Sequence, residues 1–385
     1  MSVGGLSNRA SAAGLLAKAC VASLIAGAGV AAPAHDDEAA AAARLPERVA
    51  LLARAQAELE RGDASRALDD FERAAMMLHA ADAELGLIRA AMQDGQYRRA
   101  LAFCAHTAGE HTGDADGGAL YAWLLRIGGQ AGQSERLLAE TRAHPPDAPV
   151  TRATEAALSN ASPVAAGLLL RTPHRMAPWA VSLDASPPAP TARFASNAVL
   201  VDDGHAALLP LSSMPQDADA RLWVRNGLGQ SVQARRADAD PTLVARGLAR
   251  LRLDSALPVG ASRVAGERPP FAGSPGYGVA FADTAEPAWP MLTQGFLGGS
   301  AGMGATRRLG FAAPAGAPVL DAGGALVGIT LSSAGAQATW VPLSDASPVA
   351  APASAPSRHG LALVAPDEIY EAGLRRALQV LVEPR

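Results

Sequence analysis

The sequence predicts a multidomain chain of α and β structure, in which a helical repeat solenoid precedes a β-rich domain of barrel or sandwich type. Three observations carry this. A glycine-led segment recurs in the first half, as Gly62-Asp63-Ala64-Ser65-Arg66-Ala67-Leu68, Gly95-Gln96-Tyr97-Arg98-Arg99-Ala100-Leu101 and Gly132-Gln133-Ser134-Glu135-Arg136-Leu137-Leu138. From Asn197 onward the texture changes to short apolar runs broken by Gly, Asp and Pro, the pattern of strands and turns. Between them, Pro145-Pro146 and Ser186-Pro187-Pro188-Ala189-Pro190 interrupt helical periodicity.

Composition agrees with two domains. The chain has 385 residues, 49% hydrophobic and 18% charged, with a net charge of -4. This suits globular structure and gives nucleic acid no electrostatic support. The Ala, Gly, Pro and Arg bias suggests a bacterial source. Residues 1–34 read as a secretory signal peptide, with Arg9 and Lys18 ahead of an apolar run to Ala34 and Ala32-Pro33-Ala34 offering small residues for cleavage. The expected location is therefore periplasmic or secreted, with no stable membrane span after cleavage. Removal of Cys20 would leave Cys104 alone, so neither an intramolecular disulfide nor a cysteine-based zinc site is expected.

Residues 45–145 are assigned to the helical repeats. Gly62 and Gly95 lie 33 residues apart and Gly95 and Gly132 lie 37 apart, the excess being ascribed to the polar insertion Gly113-Asp114-Ala115-Asp116. A period near 34 with a glycine turn between two helices resembles the tetratricopeptide repeat. The first unit places Ala55, Gly62, Ala67, Phe71 and Ala74 at that family's small or apolar positions. The second has Tyr97 and Ala100 but puts Cys104 where an aromatic is usual, and the third puts Thr141 there. Phe71, Leu78, Leu85, Ile88, Leu101, Phe103, Leu120 and Leu124 are the expected buried stripe. The resemblance implies an exposed concave face that binds a protein or peptide, with Arg54, Arg61, Arg89 and Arg98 as candidate binding residues.

Residues 146–196 read as a partly Pro-rich connector, and 197–385 as the β domain. Val199-Leu200-Val201 before Asp202-Asp203-Gly204 is a strand and turn. Leu222-Trp223-Val224 before Asn226-Gly227 opens a hairpin, and Leu248 to Leu253 alternates with period two. Asp345 to Pro356 is a Pro/Ala-rich loop. Pro366 to Val382 reads as a closing helix, with Pro at its first turn, Asp367 and Glu368 behind it, and Leu374, Leu378 and Leu381 on one face.

The β domain resembles the trypsin-like serine proteases. Ala313-Pro314-Ala315-Gly316-Ala317-Pro318 followed by Leu326-Val327-Gly328-Ile329 matches the family's nucleophile loop and the strand after it, with Ala315 where the serine belongs. Leu209-Pro210-Leu211-Ser212-Ser213 falls where the histidine segment belongs, so Leu211 or Ser212 replaces the general base. Gly247-Leu248-Ala249-Arg250-Leu251 resembles the strand opened by the orienting aspartate, here Gly247. The resemblance implies a double β-barrel with a degenerate triad at Ser212 (or Leu211), Gly247 and Ala315. None of these side chains can act as nucleophile, base and orienter together. The backbone N–H groups of Ala313 and Ala315 would be what remains of an oxyanion hole.

A non-catalytic scaffold that binds a protein or peptide in the cell envelope is therefore expected, without cofactor or metal. The alternative is a hydrolase with a relocated nucleophile, Ser300, Ser212 or Ser213, served by His174, His205 or His359. Gly298-Gly299-Ser300-Ala301-Gly302 matches a nucleophile-elbow pattern but lacks the helix that must follow. His106 and His111 are five apart, where a helical zinc pair is usually four apart.

Overall fold

The computed structural model describes residues 34–159, 167–184, 186–217, 219–260, 270–301, 306–332, 338–343 and 364–384. The proposed signal peptide up to residue 33, the loop Asp345–Pro356 and His359 lie outside these. The chain divides into two compact units, Met1–Glu47 and Arg48–Arg385. Of the first, only the opening turns of helix α1 (Ala34–Glu60) are described. Among the described residues no helix is long and apolar enough to cross a membrane.

The second unit begins with helix pairs. Helix α1 is followed by α2 (Ala64–Met77), α3 (Ala81–Gln93) by α4 (Tyr97–Glu110), and α5 (Ala115–Ile127) by α6 (Ala131–Ala143). Each pair is closed by a glycine with positive φ, Gly62 at 88°, Gly95 at 78° and Gly129 at 83°. The same hydrogen bonds recur at each, with the following residue reaching back five positions: Asp63 N–H to Glu58 O, Gln96 N–H to Ala91 O and Gln130 N–H to Leu125 O. This is the left-handed C-cap that glycine enters without a Cβ penalty.

The third turn is thus Gly129, and Gly132 lies inside α6. The true spacings are 33 and 34 residues, so the polar segment at 113–116 is no insertion. With this phase, the fifth residue after each glycine is Ala67, Ala100 or Ser134, each fully buried, and the ninth is Phe71, Cys104 or Leu138. Leu138, not Thr141, holds the third large position. Most of the expected stripe is buried, but Leu78 is 48% exposed, because α2 has ended and Leu78 turns extended at its C-cap.

The chain then forms α7 (Pro149–Ser159), a short 3-10 turn at Leu168–Leu170 and strand β1 (Val181–Ser182), all within the stretch read as connector. Strand β2 (Arg193–Val201) also starts there. Strands β3 (Ala206–Pro210), β4 (Arg221–Asn226), β5 (Gln230–Arg236) and β6 (Leu248–Leu253) follow, with a short helix α8 (Pro241–Ala245) capped by Asp240 before β6. Strands β7 (Pro275–Ala280), β8 (Met291–Ser300), β9 (Arg307–Leu309), β10 (Pro318–Asp321), β11 (Leu326–Ser332) and β12 (Ala338–Pro342) close a second barrel in the order β10-β11-β12-β9-β8-β7.

The first barrel is completed from the far end of the chain. Helix α9 stops at Arg376, and Ala377–Glu383 is strand β13, not the last turn of a helix. It lies between β2 and β4, antiparallel to both, and the ring β2-β3-β6-β5-β4-β13 closes through β5 and β6. The reason is burial on every side. Ala377, Leu378, Gln379, Val380 and Leu381 are all 1% exposed or less, which an amphipathic surface helix would not allow.

Helix α9 (Pro366–Arg376) then ties the barrels to the repeats. The Tyr370 ring meets that of Tyr97 on α4 edge-on at 4.5 Å, and the two hydroxyls donate to Pro290 O and Leu124 O. Burial drives both phenols well above their ordinary value. All three repeat turns face this side. A Cβ on Gly62, Gly95 or Gly129 would lie 2.5 Å from Val181, 2.8 Å from Arg375 or 3.3 Å from Leu292. One apolar core accordingly runs from Leu59 and Ile88 through Tyr97 and Tyr370 to Val279 and Leu320.

Candidate functional site

The barrels meet along an apolar seam. Val199, Leu208 and Leu248 of the first pack with Ile329 and Val341 of the second, with Leu331 and Leu343 at its margin. Asn197 on β2 bridges the barrels: its Nδ2 donates to Phe281 O at 3.1 Å and its Oδ1 accepts the Phe281 N–H at 2.8 Å. Arg246, at the end of α8, donates to Pro342 O on β12.

The residues read as triad replacements sit at this seam. Pro210 ends β3 and a 3-10 turn over Leu211–Ser213 follows. The Leu211 N–H donates to Gly247 O at 2.8 Å, which sets Leu211 beside Gly247. A Cβ on Gly247 would lie 3.9 Å from the side chain of Leu331. Next to Leu331, Thr330 O accepts the Gly316 N–H at 2.9 Å and Thr330 Oγ1 accepts the Ala317 N–H at 2.8 Å. Ala315 and Gly316 form the turn into β10. Gly316 has φ 85°, and a Cβ there would fall 1.9 Å from Asn197 O, so only glycine fits. Leu211 and Gly247 are thus neighbours between the end of β3 and the start of β6, facing Leu331 of β11, and Ala315 lies in the turn into β10 that is hydrogen-bonded to Thr330. The side chains of Leu211, Gly247 and Ala315 provide no nucleophile, no proton acceptor and no carboxylate, and Ser212, the other candidate for the base position in the same turn, offers a hydroxyl but no imidazole.

The candidate binding arginines do not form one surface. Arg54 pairs with Asp70, and Arg98 reaches Glu368 and Glu371 of α9 at 3.1 Å each. Arg61 is exposed. Arg89 is only 3% exposed, so it is no part of an open face. Its guanidinium lies 5.7 Å from the ring of Trp179, which Arg175 also covers at 4.5 Å. Burial, with Arg175 nearby, pulls Arg89 down to about 10, still cationic near neutrality.

Trp179 belongs to a segment that covers the first helices of the repeat pairs. His174 Nδ1 lies 2.9 Å from Asp116 on α5, Met176 packs by Thr154 of α7, and the Trp179 N–H donates to Gln93 Oε1 on α3 at 3.0 Å. Val181 then reaches the Gly62 turn. Residues 168–181 therefore run from the third repeat to the first, with Leu169, Met176 and Ala177 buried. The face expected to be open is occupied by the chain itself. The sequence carried no periodic signal for this, since Met176-Ala177-Pro178-Trp179 is irregular and its partners range from Thr154, 22 residues away, to Gln93, 86 away.

Of the candidate relocated nucleophiles, Ser212 lies apart from His205. His205 and Ser212 flank the five residues of β3, which separates them by roughly 20 Å at strand rise. Ser213 adjoins Ser212 in the same turn. His174 is held by Asp116. Ser300 is the last residue of β8 and pairs with Arg307 of β9, so it is not at a strand-to-helix elbow.

No protein-family model and no curated protein matches the sequence. Among solved structures, the protease domain of MamO from Magnetospirillum magneticum is similar at 16% identity, over 40% of this chain and 88% of that one, with a TM-score of 0.31. PcrH, in complex with the chaperone binding region of PopB, is similar at 21% identity, over 30% of this chain and 94% of its own, with a TM-score of 0.28. At these scores the architecture rests on the pairings described above: tetratricopeptide-like helical repeats followed by a trypsin-like double β-barrel.

Proposed function

We infer that this chain is a non-catalytic pseudoprotease scaffold that binds a protein or peptide partner in the cell envelope, in a periplasmic or secreted location. What supports the reading is the lack of an imidazole, a carboxylate and a nucleophile at Leu211, Gly247 and Ala315, with Leu211 hydrogen-bonded to Gly247 at the barrel seam and Leu331 of the second barrel beside Gly247. The partner class follows from what already lies on the repeats. An extended segment with buried Leu169 and Met176 and an aromatic Trp179 is held there, so a partner of the same kind has to displace it.

Two experiments test this. Purified protein incubated with a fluorophosphonate probe is expected to remain unlabelled, and stoichiometric labelling of one serine would overturn the non-catalytic reading in favour of a relocated nucleophile. A fluorescent peptide spanning residues 167–181 is expected to bind Trp179→Ala at least tenfold more tightly than the intact chain, because the tethered competitor is weakened. Equal affinity for both would refute displacement.

A further inference from the structure

The loops at the ends of the repeat helices bring together residues that the sequence scatters. Helix α2 ends before His79, Glu84 lies in the first turn of α3, and α4 carries His106 near its C-terminus. His111 is the C-cap of α4, with φ -110° and ψ 53°, so the chain leaves the helix there. That departure brings the His111 ring to 4.9 Å from that of His79, whose ring is also 5.2 Å from His106.

His79 Nε2 lies 2.7 Å from Glu84 Oε1 and 3.0 Å from His106 Nε2, and His106 Nε2 lies 3.4 Å from the same Oε1. The edge of a tetrahedron with metal–donor bonds of about 2.05 Å is roughly 3.3 Å, so these donors already stand near coordination spacing. His111 Nε2 is 3.5 Å from Glu84 Oε2 and is buried without a hydrogen-bond partner. Thr107 Oγ1 donates to Glu84 Oε2 at 2.7 Å, which fixes the carboxylate and leaves Oε1 toward the two imidazoles.

Charge balance points the same way. The Glu84 side chain is only 5% exposed, and its ion-pair partners are three histidines, none permanently charged. A buried carboxylate without a fixed cation is costly, and a divalent ion among the imidazoles removes that cost. The His79 side chain, 56% exposed, leaves the cluster open to solvent for entry.

We propose that His79, Glu84 and His106 form a binding site for one divalent transition-metal ion of the zinc class, with His111 beside the fourth position. Two imidazole nitrogens and one carboxylate oxygen, with a third imidazole nearby, suit zinc and its neighbours rather than calcium or magnesium. The site is on the repeats and independent of the barrel seam.

The test is isothermal titration of tag-free, chelator-treated full chain with Zn2+, together with Co2+ absorption in the visible. One equivalent is expected to bind, with the d–d bands of a low-coordinate Co2+ site. His79→Ala, at an exposed position that leaves the fold intact, is expected to weaken Zn2+ at least tenfold. Thr107→Val is expected to weaken it about 10-fold or more by releasing the carboxylate. Failure of the intact chain to bind an equivalent of Zn2+, or affinity unchanged in both His79→Ala and His106→Ala, would overturn the proposal.

Discussion

Replacing Gln379 by methionine separates two structures for the C-terminal segment. On a helix bearing Leu374, Leu378 and Leu381 on its buried face, residue 379 points to solvent, and the substitution changes stability by less than about 0.5 kcal/mol. In β13, Gln379 is fully buried, and its Nε2 donates to Thr284 O at 2.7 Å and Glu286 O at 3.1 Å. Methionine keeps the volume and removes both bonds. Each is worth about 1 kcal/mol net, and the stranded carbonyls add to the loss. Against this, Gln379 Oε1 is itself buried without a partner, and its removal recovers part of the penalty. The expected loss is about 1–3 kcal/mol, read as a lower urea midpoint at unchanged slope. A midpoint equal to wild type would refute the strand assignment and its closure of the first barrel.

Other consequences are sharp enough to measure. Gly316→Ala must accommodate a Cβ 1.9 Å from Asn197 O at φ 85°, so a loss of at least about 2 kcal/mol is expected in chemical denaturation. Arg98→Ala, although it touches two carboxylates of α9, is expected to lose less than about 1 kcal/mol, because the guanidinium is 52% exposed; a larger loss in thermal unfolding would assign the docking of α9 to charge rather than to Tyr97 and Tyr370. The hydrogen-bonded Arg54 guanidinium, opposed by partial burial and aided by Arg73, holds the Asp70 carboxyl below its ordinary 3.8. A depressed acid contributes stability that is present above 3.8 and is lost as pH falls through the lower folded value. Asp70→Asn is therefore expected to flatten the acid limb of stability against pH below about pH 4, and an unchanged limb would show that the pair contributes nothing.

What was legible in the sequence was local. Glycine turns mark helix pairs because a left-handed C-cap admits few other residues, and alternation in Leu248–Leu253 marks a strand because one face is buried. That Ala315 and Gly247 carry neither a nucleophile nor a carboxylate is likewise written in the residues themselves. Where two local signals competed, the sequence did not decide. Gly129 and Gly132 both sit near the third turn, and only the backbone, with φ 83° at Gly129, selects between them. The leucines of 374–381 satisfy a helical period, while Val380 and Val382 favour a strand; the open place between β2 and β4 settles the competition by pairing both edges of β13.

Tertiary structure alone decided the long-range matters. Asn197 joins the barrels across 84 residues, Trp179 seats against Gln93 across 86, and Glu84 gathers histidines from the α2–α3 connection and from α4 with its C-cap. Periodicity reports which face of an element is buried, but not what buries it. The occupant of the repeat face, the strand that closes the first barrel and the donors around Glu84 are set by packing between distant parts of the chain, which no local pattern encodes.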